Sequence, residues 1–341
     1  MYTPLGCDPE VQGEEAGRGL HLELEAEITS ADAPVVPSLS QSVLRTEGGR
    51  FVVSHAFAEP VLVLHDATGT FEGIRDSRGS GPGEFSFVPG LLAGPEGTIL
   101  AFEPGRIHVF DQDLEHLETR GLERRIWQTA APLPDGRIAV DDMQASANGG
   151  QSTVSILGPT GRLDRELLEV PDPVVRTLLA PASEGGFWAL RGNGNRLERY
   201  GPDGELVDAV VIEGGSVAPW AEGRMDGEGQ EVPRRPRYTG FSELGDGTFL
   251  LVAWVSPEGW TPGSDAEGGA MLAPATMNVS DSYDTVLELV DATSGQVLER
   301  ARVPDALSVV QGAPTLFHSR HPDGELGHVI TRIWRAELGS G

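Results

Sequence analysis

Residues 78–111 read RGSGPGEFSFVPGLLAGPEGTILAFEPGRIHVFD, and their pattern decides the fold. A Gly/Pro loop (Gly79 to Gly83) leads to Glu84-Phe85 and then to a short apolar run, Leu91 to Ala93. The turn Pro95-Glu96-Gly97 separates this run from a second, Thr98 to Phe102. The tight turn Glu103-Pro104-Gly105 separates the second from a third, Arg106 to Phe110, which alternates and ends at Asp111. Short β-prone runs joined by tight turns predict an antiparallel meander. The same order recurs down the chain, and such recurrence predicts a repeat fold.

Working outward, six units emerge. The first runs through Ser42–Thr46, Arg50–Ser54, Val61–His65 and Phe71–Arg75, and the second is the opening stretch completed by His116–Arg120. The third takes Thr129–Leu133, Arg137–Asp141, Thr153–Leu157 and Leu163–Val170, with a polar loop, Asp142–Ser152, between its middle strands. The fourth takes Thr177–Ala180, Gly186–Leu190, Arg196–Tyr200 and Glu205–Ile212. The fifth takes Gly240–Leu244, Thr248–Val255, Thr285–Val290 and Gln296–Val303. The sixth has Leu307–Gln311, Thr315–Ser319, a turn at His321–Gly327 and His328–Leu338, and stops one strand short. At the other end His21–Ile28 alternates apolar and polar residues without a hairpin partner nearby, so it is the expected missing strand. A closed ring removes its sheet edges in this way. The expected fold is therefore all-β, a six-bladed propeller over residues 20–338, with insertions at about 213–237 and 256–284 and a disordered N-terminal tether over residues 1–19.

Composition agrees. Gly (45) and Pro (25) are abundant among 341 residues, yet the hydrophobic fraction of 39% supports a folded core. Net charge is −27, and every basic residue is Arg. That balance argues against nucleic acid and anionic membranes as partners, which require a basic footprint; self-repulsion of this size fits a soluble monomer. The single cysteine, Cys7, excludes an intrachain disulfide. Leu5-Gly6-Cys7 has the form of the end of a bacterial lipoprotein cleavage site, although Pro4 stands where an aliphatic residue is usual and no apolar segment precedes it. Cys7 is thus either a lipidation site on a periplasmic or cell-surface protein or an incidental thiol.

Glu84-Phe85 after a Gly/Pro loop, the turn at Glu96-Gly97, the strand Ile99-Leu-Ala-Phe102 and Arg106-Ile-His-Val-Phe-Asp111 resemble the NHL repeat, and more broadly the bacterial six-bladed propellers related to it. Ala101-Phe102 and Gly105-Arg106 stand where the NHL blade usually carries Ala-Asp and Asn-Arg, so the repeat is degenerate. The resemblance implies ligand sites at the channel mouth, on the loops joining second to third strands and one blade to the next. On that face the segment Ser256–Asp284 carries Trp260, Met271 and Met277 in a polar context, either as a contact surface or, for Trp260, as a cap on its blade. Arg234, Arg235 and Arg237 form a basic knot suited to a carboxylate or sulfate, or else pair with the acidic residues of their own loop. A likeness to six-bladed lactonases would imply a Ca²⁺-type ion, for which Asp141, Asn193 and Asn195 are candidate ligands. His318, His321 and His328 are spaced too loosely for a clear metal motif. There is no nucleophile elbow, phosphate loop, zinc-protease helix or C-x-x-C pair. The leading expectation is a non-enzymatic binding or scaffold propeller that recognises a protein or small molecule without a cofactor; the alternative is a metal-dependent lactonase or hydrolase.

Overall fold

The computed structural model describes residues 19–29, 40–55, 62–75, 78–87, 90–124, 126–146, 149–170, 177–191, 194–217, 236–245, 247–259, 283–322 and 329–338. The first strand, β1 (Leu20–Thr29), precedes the first complete blade. Blade one is β2 (Ser40–Arg45), β3 (Phe51–His55), β4 (Leu62–His65) and β5 (Phe71–Arg75). Blade two is β6 (Gly90–Ala93), β7 (Ile99–Glu103), β8 (Arg106–Phe110) and β9 (His116–Gly121). Blade three is β10 (Ile126–Pro132), β11 (Ile138–Ser146), β12 (Gly149–Leu157) and β13 (Leu163–Val170). Blade four is β14 (Thr177–Pro181), β15 (Phe187–Arg191), β16 (Arg196–Tyr200) and β17 (Leu206–Val211). Blade five is β18 (Arg237–Leu244), β19 (Thr248–Val255), β20 (Asp284–Asp291) and β21 (Val297–Val303). Blade six is β22 (Ser308–Val309), β23 (Leu316–Pro322) and β24 (Val329–Leu338), completed by β1 in the order β1-β24-β23-β22. Every sheet is four-stranded and antiparallel, and the expected closure by the N-terminal strand is observed. Among the described residues the only helical element is one 3₁₀ turn, Pro95–Gly97, and no helix is long and apolar enough to cross a membrane.

The ring closes on its inner side as well. Gln311 donates its N–H to Val43 O and accepts from Arg45 N, so blade six meets the innermost strand of blade one through backbone bonds. Buried apolar side chains then fill six seams, one between each pair of neighbouring blades. Strand periodicity explains how one strand serves two seams. In β19, Phe249, Leu251 and Ala253 pack toward blade four, whereas Leu250 and Val252 pack toward blade six. A middle strand buried on both faces reads as a continuous apolar run, hence TFLLVAWV.

Two expectations need correction. Asp142–Ser152 is no connecting loop: β11 and β12 stay paired from Asp142 opposite Thr153 to Ser146 opposite Gly149, with β13 alongside as far as Ser152 opposite Val170. The ladder is made by backbone N–H and C=O groups, which a polar, Gly-containing stretch supplies as well as an apolar one. Likewise His321 belongs to β23, opposite Ile330, rather than to a turn.

Candidate ligand site at the seam of blades five and six

The upper end of the seam between blades five and six carries a row of three cross-strand neighbours. Arg237 opens β18, the innermost strand of its blade, and lies opposite Trp254 of β19; Tyr283 immediately precedes β20. The Trp254 and Tyr283 rings stack with centroids 5.3 Å apart, and the Arg237 guanidinium sits 5.3 Å from the first and 5.4 Å from the second. A bulge between Tyr238 and Gly240 creates this row. Without the extra residue Arg237 would be shifted by one position, onto the face that packs against blade four; the bulge re-aims it toward blade six. Arg237 is exposed, and among the described residues no carboxylate pairs with it. Its planar donors are therefore held against an aromatic surface and directed to solvent in a protein of net charge −27.

Neighbouring bonds fix the row in place. The Trp254 indole Nε1–H donates to Leu307 O at 2.7 Å, and the Thr285 hydroxyl donates to Asp305 O and accepts from Leu307 N. Glu288 is buried and holds the connector into blade five: Ser216 N and Oγ, the Tyr238 hydroxyl and the Arg300 guanidinium all donate to its carboxylate. Burial, together with the Glu288 charge, pushes the Tyr238 phenol well above its ordinary value, so it stays a neutral donor to Glu288 on the blade-four face of β18. Asp284 accepts from Glu258 N and from Arg302, whose other nitrogen donates to Ser256 O, tying the start of β20 to the residues just after β19.

Blade six supplies the facing wall. Phe317, Ser319 and His321 alternate along β23 on one face; Phe317 lies in the apolar seam with Leu250 and Val252. Above it, His321 Nε2 lies 3.0 Å from Asp305 Oδ2 and 2.9 Å from Ser319 Oγ, and Ser319 Oγ accepts from Trp334 Nε1. Ser, His and Asp meet here, yet both contacts fall on one ring nitrogen. A nitrogen facing an acceptor-only carboxylate carries the proton, so it is no base for the serine hydroxyl, and the relay of a nucleophilic triad is not formed.

The sequence-derived candidates distribute as follows. Arg237 is in the row; Arg234, Arg235 and Trp260 lie outside the described residues, as do Asn193 and Cys7. Asp141 is buried within β11 opposite Val154. Asn195 donates its Nδ2 to Ile212 O, which ties the third strand of blade four to the end of β17. Among the described residues one trio of His, Cys, Asp or Glu brings its ligand atoms within 4.8 Å, namely His21, Glu23 and Glu337. That trio is at the outer edge of blade six, and Asp141 is not in it. Sequence reasoning passed over Trp254, Tyr283, Asp305 and Ser319. Their one signal was the aromatic pair flanking the 256–284 insertion.

No family profile matches this chain, and no curated protein matches it. Solved structures do. A protein of Bacteroides fragilis assigned as exported is 11% identical, covers 93% of this chain and 95% of its own, and superposes with a TM-score of 0.57. The chain is a six-bladed β-propeller. A streptogramin B lyase (12% identity, 94% of this chain and 98% of its own, TM-score 0.51) shares the fold. So does a catalytically inactive virginiamycin B lyase from Staphylococcus aureus with quinupristin (10%, 93% and 99%, TM-score 0.51). At these identities the likeness concerns the fold alone.

Proposed function

We propose that this propeller is a non-enzymatic binding module that holds an anionic group of its ligand at the seam of blades five and six. The observation that carries the reading is Arg237, exposed and free of any described carboxylate, lying on the stacked rings of Trp254 and Tyr283. A fixed guanidinium offers paired donors to a carboxylate or sulfate, and the rings offer an apolar floor. The ligand is a small molecule or a protein segment that presents such a group. The −27 charge argues against nucleic acid as partner, and on this reading the protein acts as a monomer without a cofactor. We place it outside the cytoplasm, in keeping with the exported Bacteroides neighbour, with Cys7 as the candidate point of lipid attachment.

Benzoate, a flat carboxylate, is a suitable probe. Equilibrium dialysis at low and physiological salt should show saturable binding to the wild type and at least tenfold weaker binding to Arg237→Ala. At ten times its Kd the probe should also stabilise the fold by about 1.4 kcal/mol. Equal binding by the variant, or none by either protein, overturns the reading. The metal-dependent alternative makes the opposite forecast: loss of stability on EDTA treatment, restored by Ca²⁺.

A further inference from the structure

We infer that the site at this seam recognises its ligand at two points: Arg237 takes the anionic group, and Nδ1 of His321 accepts a hydrogen bond from a donor on the same ligand. This rests on the binding role proposed for Arg237 and adds the chemistry of the ligand's other end. The two residues belong to walls that face each other. Trp254, opposite Arg237, donates to the carbonyl of Leu307; two residues earlier Asp305 supplies the carboxylate that orients His321. One short connector, Asp305 to Leu307, thus braces both walls, and Thr285 holds it at both ends.

The hydrogen bonds of His321 fix which nitrogen meets the ligand. Nε2 faces the Asp305 carboxylate at 3.0 Å, so in the neutral tautomer the proton sits on Nε2 and Nδ1 keeps its lone pair. Among the described residues nothing bonds to Nδ1, and the side chain is 27% exposed. With Nε2 tied to a buried acid, an Nδ1 that carries no proton and meets no described partner is a pre-positioned acceptor. Ser319, which takes the Trp334 indole N–H at 3.0 Å, lies 2.9 Å from the same Nε2. The ligand class that meets both walls is a carboxylate that also carries a hydroxyl, amine or amide N–H on a flat body.

The test uses the full chain and four probes: benzoate and its 2-, 3- and 4-hydroxy isomers. At least one hydroxy isomer should bind about fivefold more tightly than benzoate, in line with one added hydrogen bond. In His321→Phe no hydroxy isomer should bind more tightly than benzoate does. A second readout needs no variant. Diethyl pyrocarbonate, which acylates unprotonated imidazole nitrogens, should label His321 in the wild type by peptide mass mapping. The preferred isomer should protect it, and that protection should be absent in Arg237→Ala. If benzoate binds through Arg237 but no isomer gains and His321 is never protected, this inference fails while the binding role of Arg237 stands. If none of the probes binds, both fail.

Discussion

Leu20 lies opposite Leu338, at one end of a ladder that runs to Thr29 opposite Ile330. This pairing makes β1 the outer strand of blade six and ties the two ends of the described chain into one sheet. Leu20, Ala26 and Ile28 are buried by it, and Glu25 pairs with both Arg45 of blade one and Arg335 of β24. Burying one large aliphatic side chain stabilises by about 1.5–3 kcal/mol, and the bare edge of β24 would invite intermolecular pairing. A chain starting at residue 31 should therefore lose its cooperative melt or aggregate. A chain starting at Gly19 keeps every described pair and should melt within about 2 °C of the full protein, since 1 kcal/mol corresponds to about 2–4 °C in a large domain. Equal melting of the 31–341 chain would refute the closure.

Glu103 anchors the Gly/Pro loop before blade two. Its buried carboxylate accepts Ser86 N at 2.8 Å and Phe87 N at 2.9 Å, and pairs with Arg106 and with His108, itself buried against Phe85. Burial alone would raise the Glu103 pKa; the bonds from His108, Ser86 and Phe87 and the Arg106 charge outweigh it and hold the carboxyl below the usual range. Replacing it with Ala leaves a buried His and two N–H groups without their acceptor, so Glu103→Ala should cost roughly 3–5 kcal/mol. Hydrogen exchange gives the local check. The amides of Ser86 and Phe87 should lose protection first, and unchanged protection there would show that the loop is held by something else.

How much of this was legible in the sequence follows from what periodicity records. Alternation in RIHVF and the unbroken run FLLVAWV report burial on one face or two, so strands, blade order and the missing sixth-blade strand could be read directly. The polar stretch from Asp142 to Ser152 could not, because backbone pairing leaves no apolar trace. Trp254 looked like one more core residue at the end of such a run. Only the bulge after Tyr238, which has no sequence signature, turns Arg237 toward it. Asp305 and His321 are joined by closing a blade across a hairpin, a long-range fact that neither local stretch contains.

The outer turns offer a sharper test of backbone geometry. Asp66, Asp111 and Asp291 each accept backbone N–H groups two to four residues ahead. In the last of these turns Gly295 has φ 73°, and a Cβ there would overlap the carbonyl oxygen of Val211 in the next blade. Gly185 has φ 87° with open space around it. Gly185→Ala should cost only the left-handed penalty, about 1 kcal/mol. Gly295→Ala must also displace blade four and should cost clearly more, about 2–4 kcal/mol. Denaturant melts of the two variants decide it; equal costs would mean that blade four gives way freely at this contact.

His318 carries the clearest pH dependence. It points from β23 toward blade one, is fully buried, and has no hydrogen-bond partner for Nδ1. Burial, reinforced by the Arg320 charge and opposed by Asp305, lowers its pKa from 6.5 to about 3. In this window the unfolded chain binds a proton that the folded protein does not. Stability is therefore complete above pH 6.5 and falls as pH drops from 6.5 toward 3, by up to about 1.4 kcal/mol per unit. The depressed carboxyl of Glu103 adds loss of the same sign, but only below its ordinary value of 4.5. Between pH 6.5 and 4.5 the His318 effect is therefore separate from that of Glu103. His318→Leu removes the titrating group and keeps an apolar side chain at the site. Melting curves across this interval should show a steep decline for the wild type and a shallower one for the variant; parallel curves would mean that His318 takes up its proton without unfolding.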